Sequence, residues 1–199
     1  NTVLSSDQVS QLEKVIDQIE KGSDEQFYHQ VRINILRSLS KSDKYRAINY
    51  GKLNIEKLEK TNTPFNKVAV LSFITALRIP YRSSDKLPEG MQFITEKLGG
   101  YKRNNDSLGI ATCHWVLGGF YITLGLNESA IYHIKKSISY HDTSANRKPV
   151  QGFEFQGKIG RLNNTGVLIG IYVRMGLYEK AIEYGNILLN ESFYYYSPA

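Results

Sequence analysis

Four histidines (His29, His114, His133 and His141) and one cysteine, Cys113, are the side chains of this 199-residue chain with the widest chemical range. A metal site would need three or four ligands converging from nearby backbone. Acid–base catalysis would need a histidine beside a second titratable group. His133 and His141 stand eight residues apart, on roughly the same face of one helix, with no carboxylate or third histidine at ligand spacing. They read as surface or groove histidines. Cys113 lies in the apolar run Ile110-Ala111-Thr112-Cys113 and reads as a buried packing residue. A single cysteine excludes an internal disulfide and any multi-cysteine metal site. No Ser–His–Asp order, nucleophile elbow or Walker-type loop occurs. Gly152, Gly157 and Gly160 enrich one stretch, yet they lack a preceding strand and the lysine–serine/threonine pair of a phosphate cradle. The residues therefore imply no catalytic group, no cofactor and no metal.

What remains is chemistry of contact. The stretch 147–158 mixes basic and aromatic side chains, with Arg147, Lys148, Phe153 and Phe155 as candidate partner contacts in a long loop. The run Phe193-Tyr194-Tyr195-Tyr196 is more aromatic than a solvated end. It either packs on the last hairpin or marks where a further repeat docks.

Composition supports a folded chain, with 41% hydrophobic and 22% charged residues. The net charge of +6 is spread evenly: residues 1–100 hold 15 basic and 12 acidic residues, residues 101–199 hold 10 and 7. An even spread makes a weak case for nucleic acid, which is bound by clustered charge. The longest nearly apolar run, Trp115 to Leu126, is 12 residues and holds three glycines. That is short of the roughly 18 needed to span a bilayer. The chain opens at Asn1 without a signal-type segment and reads as a processed form or a piece of something longer.

Helical periodicity runs through the whole sequence. Ser5-Ser6-Asp7 caps a first helix with Val9, Leu12, Val15, Ile16 and Ile19 inside, ended by Gly22. Ser23-Asp24 opens a second, carrying Phe27, Val31, Ile35 and Leu39. Asp43 opens a third that stops at Thr61–Pro64. A fourth runs from about Phe65 to Leu77, with Pro80 at its exit, and a fifth from Pro88 to Gly99-Gly100. Asp106 or Ser107 caps a sixth over 108–124, and Asn127 a seventh to about His141. After an insertion at 142–156, the eighth spans about 158–175 and the ninth runs from Tyr178 to about Phe193.

A skeleton repeats along these helices. Tyr121–Gly125–Ala130 and Tyr172–Gly176–Ala181 share spacings of four and five residues, and Ser38–Ser42–Ala47 echoes them with small residues. Ala47-Ile48-Asn49-Tyr50-Gly51 also matches Ala181-Ile182-Glu183-Tyr184-Gly185. Glycine suits the left-handed residue that closes a helix, and small residues such as Gly118 and Ala130 let two helices approach closely. A helical hairpin of this kind buries its apolar face by stacking on copies of itself.

The stretch Leu168-x3-Tyr172-x3-Gly176-Leu177-Tyr178-Glu179-Lys180-Ala181-Ile182 resembles the tetratricopeptide repeat family, as does Leu117-Gly118-x2-Tyr121-x3-Gly125-x4-Ala130. The position of the family's tryptophan falls at His114, and the two good copies lie 51 residues apart against a family period of about 34. The resemblance implies an all-α chain: a right-handed α-α superhelix of about four to five hairpins in one domain, with its clearest repeats at about 28–61, 111–141 and 162–195. It implies a concave groove lined by the first helix of each hairpin, here His29, Arg32, Thr112, Trp115, Asn163 and Arg174. Arg32 and Arg174 would pair with carboxylates, and Trp115 would offer a stacking face. The implied function is non-catalytic binding of a protein or peptide, with a homo-oligomer compatible. The chain is similar to input regions of bacterial sensor histidine kinases; the alternatives are a peptide-pheromone-binding regulator and a nucleic-acid-binding helical repeat.

Overall fold

Helix starts in this chain are set by oxygens that accept from the first unsatisfied amides of each helix. At the first, the Ser5 hydroxyl accepts from the Gln8 amide (3.2 Å) while the Gln8 side chain accepts from the Ser5 amide (2.9 Å), a reciprocal capping box. Asp43, Thr63 and Asp106 each accept from the amide three residues on, at 3.0, 3.1 and 3.1 Å. The computed structural model describes residues 5–19, 25–61, 63–144 and 156–196. Among these it forms nine helices and no strand: α1 (Ser6–Ile19), α2 (Glu25–Ser42), α3 (Lys44–Glu59), α4 (Pro64–Arg82), α5 (Leu87–Arg103), α6 (Ser107–Thr123), α7 (Asn127–Ser144), α8 (Gln156–Arg174) and α9 (Tyr178–Tyr196). Among the described residues no helix is long and apolar enough to cross a membrane.

Two expected endings and one expected face need correction. Pro80 does not stop α4, which continues to Arg82 with the proline inside its last turn. There the missing amide removes one bond only, and the Ser83 amide still reaches the Ile79 carbonyl at 3.2 Å. Gly99-Gly100 does not end α5 either. The helix runs on to Arg103 and closes at Asn105, which takes the left-handed conformation (φ 50°). In α2 the buried face is rotated from the expected one: Phe27 is exposed, and Tyr28, Arg32, Ile35, Leu36 and Leu39 are inside.

Three of the inter-helix turns share one construction. Gly125 and Gly176 both sit at φ 71°. The amide after each bonds back to a tyrosine carbonyl, Leu126 to Tyr121 at 3.0 Å and Leu177 to Tyr172 at 2.9 Å, which is the Schellman closure. The Asp106 amide does the same to Tyr101 at 2.9 Å, with Asn105 in the glycine's place. Ser38–Ser42–Ala47, by contrast, keeps the spacing but turns differently. Asp43 follows α2 directly in an extended conformation (φ −147°) and caps α3.

The contacts divide the chain into two compact units, Asn1–Gly90 and Met91–Ala199. In the first, α1 packs on α2, and α2, α3 and α4 pack on one another. Leu36, Leu39, Ile55, Phe73, Ile74 and Leu77 are fully buried there. In the second, α6 packs on α7, α7 on α8 and α8 on α9, around Ala130, Ile134, Leu168, Ile171, Tyr172 and Ala181. The close approach expected at Gly118 is present: a Cβ there would lie 2.6 Å from Ile134 Cδ1 and 3.6 Å from the Ala130 carbonyl. In each unit sequence-adjacent helices pack in pairs, with α2 also reaching α4 in the first, an arrangement consistent with helical-repeat proteins.

Candidate functional site

The polar side chains expected to line a groove in the first unit are instead inside it. His29 is buried on α2, its Nε2 3.1 Å from Asn66 Oδ1, and the Asn66 amide group donates to both the carbonyl and the hydroxyl of Thr61. Arg32 is buried one turn on. Its guanidinium donates to Asn54 Oδ1 at 2.7 Å and lies 4.2 Å from the centre of the Tyr28 ring. Both residues tie α2 to the helices that follow it.

In the second unit, Thr112 and Trp115 are half-buried on α6. The Thr112 hydroxyl donates to the Leu108 carbonyl at 2.9 Å, and Trp115 packs against the core that α7, α8 and α9 share. Asn163 and Arg174 are exposed on α8. Eleven residues is three helical turns, so the two share one face. Gly166 and Gly170 fall between them on that face, and nothing described lies within 4 Å of the position a Cβ would take at either glycine. The result is a bare strip of helix backbone with an amide at one end and a guanidinium at the other. Arg147, Lys148, Phe153 and Phe155 lie outside the described residues, as do the side chains of the Phe193–Tyr196 run; of the insertion expected at 142–156, residues 142–144 extend α7 and Gln156 opens α8.

One cluster escaped the reading of the sequence. His114 on α6 and His133 on α7 face each other with Nδ1 to Nδ1 at 2.9 Å, so one ring donates its Nδ1 proton to the other's lone pair. Tyr140 stacks on His114 with ring centres 6.1 Å apart, Tyr121 stacks on His133 at 5.1 Å, and Tyr132 meets both rings edge-on. Burial, then the neighbouring His133, Lys102 and Lys136, lower the His114 pKa to about 4. Burial and Lys102 do the same for His133. Both rings are therefore neutral at neutral pH and hold the α6–α7 hairpin together.

The surface or groove placement expected for His133 and His141 does not hold. His141 is buried against Gly160 of α8, and His133 is half-buried at this pair. Cys113 is buried as expected, and burial pushes its thiol pKa up to about 12. Among the described residues no group of three or more histidine, cysteine, aspartate or glutamate side chains could hold a metal ion.

Comparison with protein families, with curated proteins and with solved structures finds no match to this chain.

A polar bridge holds these elements in register. The Ser137 hydroxyl on α7 donates to the Ala111 carbonyl of α6 at 2.7 Å and accepts from the Asn164 amide of α8 at 2.9 Å. Asn164 is adjacent to Asn163, so the bridge fixes which face of α8 turns outward. Arg161 and Glu191 add an ion pair between α8 and α9.

Proposed function

We propose that the chain is a non-catalytic scaffold that binds a protein or peptide segment along the exposed face of α8. The observation that carries this reading is the strip Asn163–Gly166–Gly170–Arg174. A glycine inside an exposed helix costs about 1 kcal/mol relative to alanine, and at Gly166 and Gly170 no described neighbour requires the lost side chain. A partner backbone lying close against the helix would require it. Arg174 would then pair with a carboxylate of that partner, and Asn163 would hydrogen-bond its backbone. In the right-handed superhelix that the tetratricopeptide resemblance implies, α8 is the first helix of its hairpin and lines the concave side. The same resemblance supplies the finer reading, an input region of a bacterial signal-transduction protein of the histidine kinase type. A parent gene that encodes no output domain would remove it.

The binding face is tested by selecting peptides from a randomised display library on the wild-type chain and titrating them by calorimetry. Gly166→Leu and Gly170→Leu are expected to weaken the selected peptides by about tenfold or more while leaving the melting temperature equal or higher. Peptides that bind the variants as well as the wild type would place the contact elsewhere.

A further inference from the structure

Charge of one sign gathers around the His114–His133 pair. Lys102 stands in the last turn of α5 and Lys136 lies three residues past His133 on α7, and both are exposed. Lys102 acts on both rings and Lys136 on His114, and among the described residues no carboxylate acts on either. Nor does either lysine have an ion-pair partner among the described residues, whereas Lys52 and Lys86 of the first unit share Glu89. The Lys136 ammonium lies 6.0 Å from the centre of the Tyr132 ring, which is 56% exposed, so the cluster meets solvent there. Like charges gathered without a counter-charge repel one another, and an anion brought among them relieves the repulsion. The histidine pair adds a donor. Each neutral imidazole carries one N–H. Across the 2.9 Å contact one ring gives its Nδ1 proton and the other accepts at Nδ1, so the accepting ring holds its own proton on Nε2. His114 is the buried member and His133 the half-buried one. With His114 donating, His133 has an Nε2–H from which no described residue accepts.

From this convergence we infer that Lys102, Lys136 and His133 form a binding site for a phosphate dianion, free or carried as a monoester. His114 is its positioning residue: by donating to His133 it keeps the His133 proton on Nε2, where it faces the anion. The reverse tautomer would set a lone pair against the phosphate. The charges match, because a phosphate monoester carries about −1.5 to −2 at neutral pH and meets two lysines, whereas a carboxylate would leave one of them uncompensated. Ammonium and imidazole N–H groups donate to phosphate oxygens in charge-assisted hydrogen bonds, and the exposed Tyr132 ring offers an apolar surface to the organic part of a monoester. The site shares no residue with the α8 strip and stands apart from the scaffold reading.

Inorganic phosphate and phenyl phosphate are titrated into the full chain at neutral pH and followed by NMR of the histidine rings. Saturable binding is expected, with the His114 and His133 signals shifting and those of His29 and His141 staying in place. Lys102→Gln and Lys136→Gln are each expected to weaken it about tenfold, and added salt to weaken it further. Both lysines are exposed, so these variants fold. Lys135→Gln removes the same charge one residue away, from a side chain turned to Tyr172 and Tyr184, and is expected to leave binding unchanged. His114→Phe is expected to weaken binding, and His114→Asn, whose side-chain amide donates in place of Nδ1, to restore it. Phenyl phosphate that binds more tightly than inorganic phosphate, with the gain lost in Tyr132→Ala, identifies a monoester; equal affinities identify free phosphate. Absent saturation, acetate binding as tightly as phosphate, or Lys135→Gln weakening binding as much as Lys136→Gln would overturn the site. Unchanged affinity in His114→Phe would overturn the role given to His114.

Discussion

At the scale of single residues, the His114–His133 pair links stability to acidity. A histidine in an unfolded chain titrates near 6.5, and both of these are held down to about 4. Between those values the unfolded chain takes up protons that the folded chain refuses, so folding is opposed as the pH falls. Stability to urea is expected to hold at neutral pH, to decline from about pH 6.5 and to level off near pH 4. Denaturation series at pH 7, 5.5 and 4.5 check this, and a His114→Leu, His133→Leu double variant is expected to show a shallower decline. The pair was within reach of the sequence. Counting outward from Thr123 and Leu124, each histidine stands nine residues from the turn, so an antiparallel hairpin puts them opposite one another. Ligand spacing along one helix does not reveal it; spacing across two does. His29 and Arg32 illustrate the converse. Residue type marks them as binding groups, whereas burial beside Asn66 and Asn54 makes them struts, and no spacing rule distinguishes the two roles.

At the scale of elements, glycine has opposite effects at two kinds of position. Gly125 and Gly176 take a conformation that costs other L-residues about 1–2 kcal/mol. Gly125→Ala and Gly176→Ala are each expected to lose about that much stability by denaturant titration, whereas Asn105→Gly is expected to be neutral or stabilising. Gly166→Ala and Gly170→Ala are expected to gain about 0.5–1 kcal/mol. Most helix starts were legible because a cap is a local event: Ser5, Asp43, Thr63 and Asp106 needed only the residues next to them. Helix ends were harder to read. Gly99-Gly100 and Pro80 look like stops, but Pro80 in the last turn of α4 removes a single bond and the closure of α5 lies further on, at Asn105. The turn at Asn105 went unread because the same Tyr-x3 spacing ended in asparagine rather than glycine.

At the scale of the whole chain, the helices of each unit pack on one another, so damage should stay local within each unit. Phe73→Ala removes a fully buried ring from the first unit and is expected to cost about 3–5 kcal/mol there. Hydrogen exchange should accelerate in α2, α3 and α4 while the amides of α7, α8 and α9 keep their protection. Uniform loss across both units would show that the chain melts as one body. Sequence conveyed the all-helical class and the pairing of neighbours, because both follow from short-range periodicity. Division into two units depends on which faces are left uncovered, and an apolar face reads the same in sequence whether or not anything lies on it.

Cys113 gives the molecule a clock. Its sulfur is sealed within α6 and its thiol is held protonated by burial, so a maleimide can reach it only while that helix stands away from its neighbours. With no other thiol in the chain to compete, the labelling rate of the native protein counts those openings one by one, and any ligand that clamps α6 will be seen to slow it.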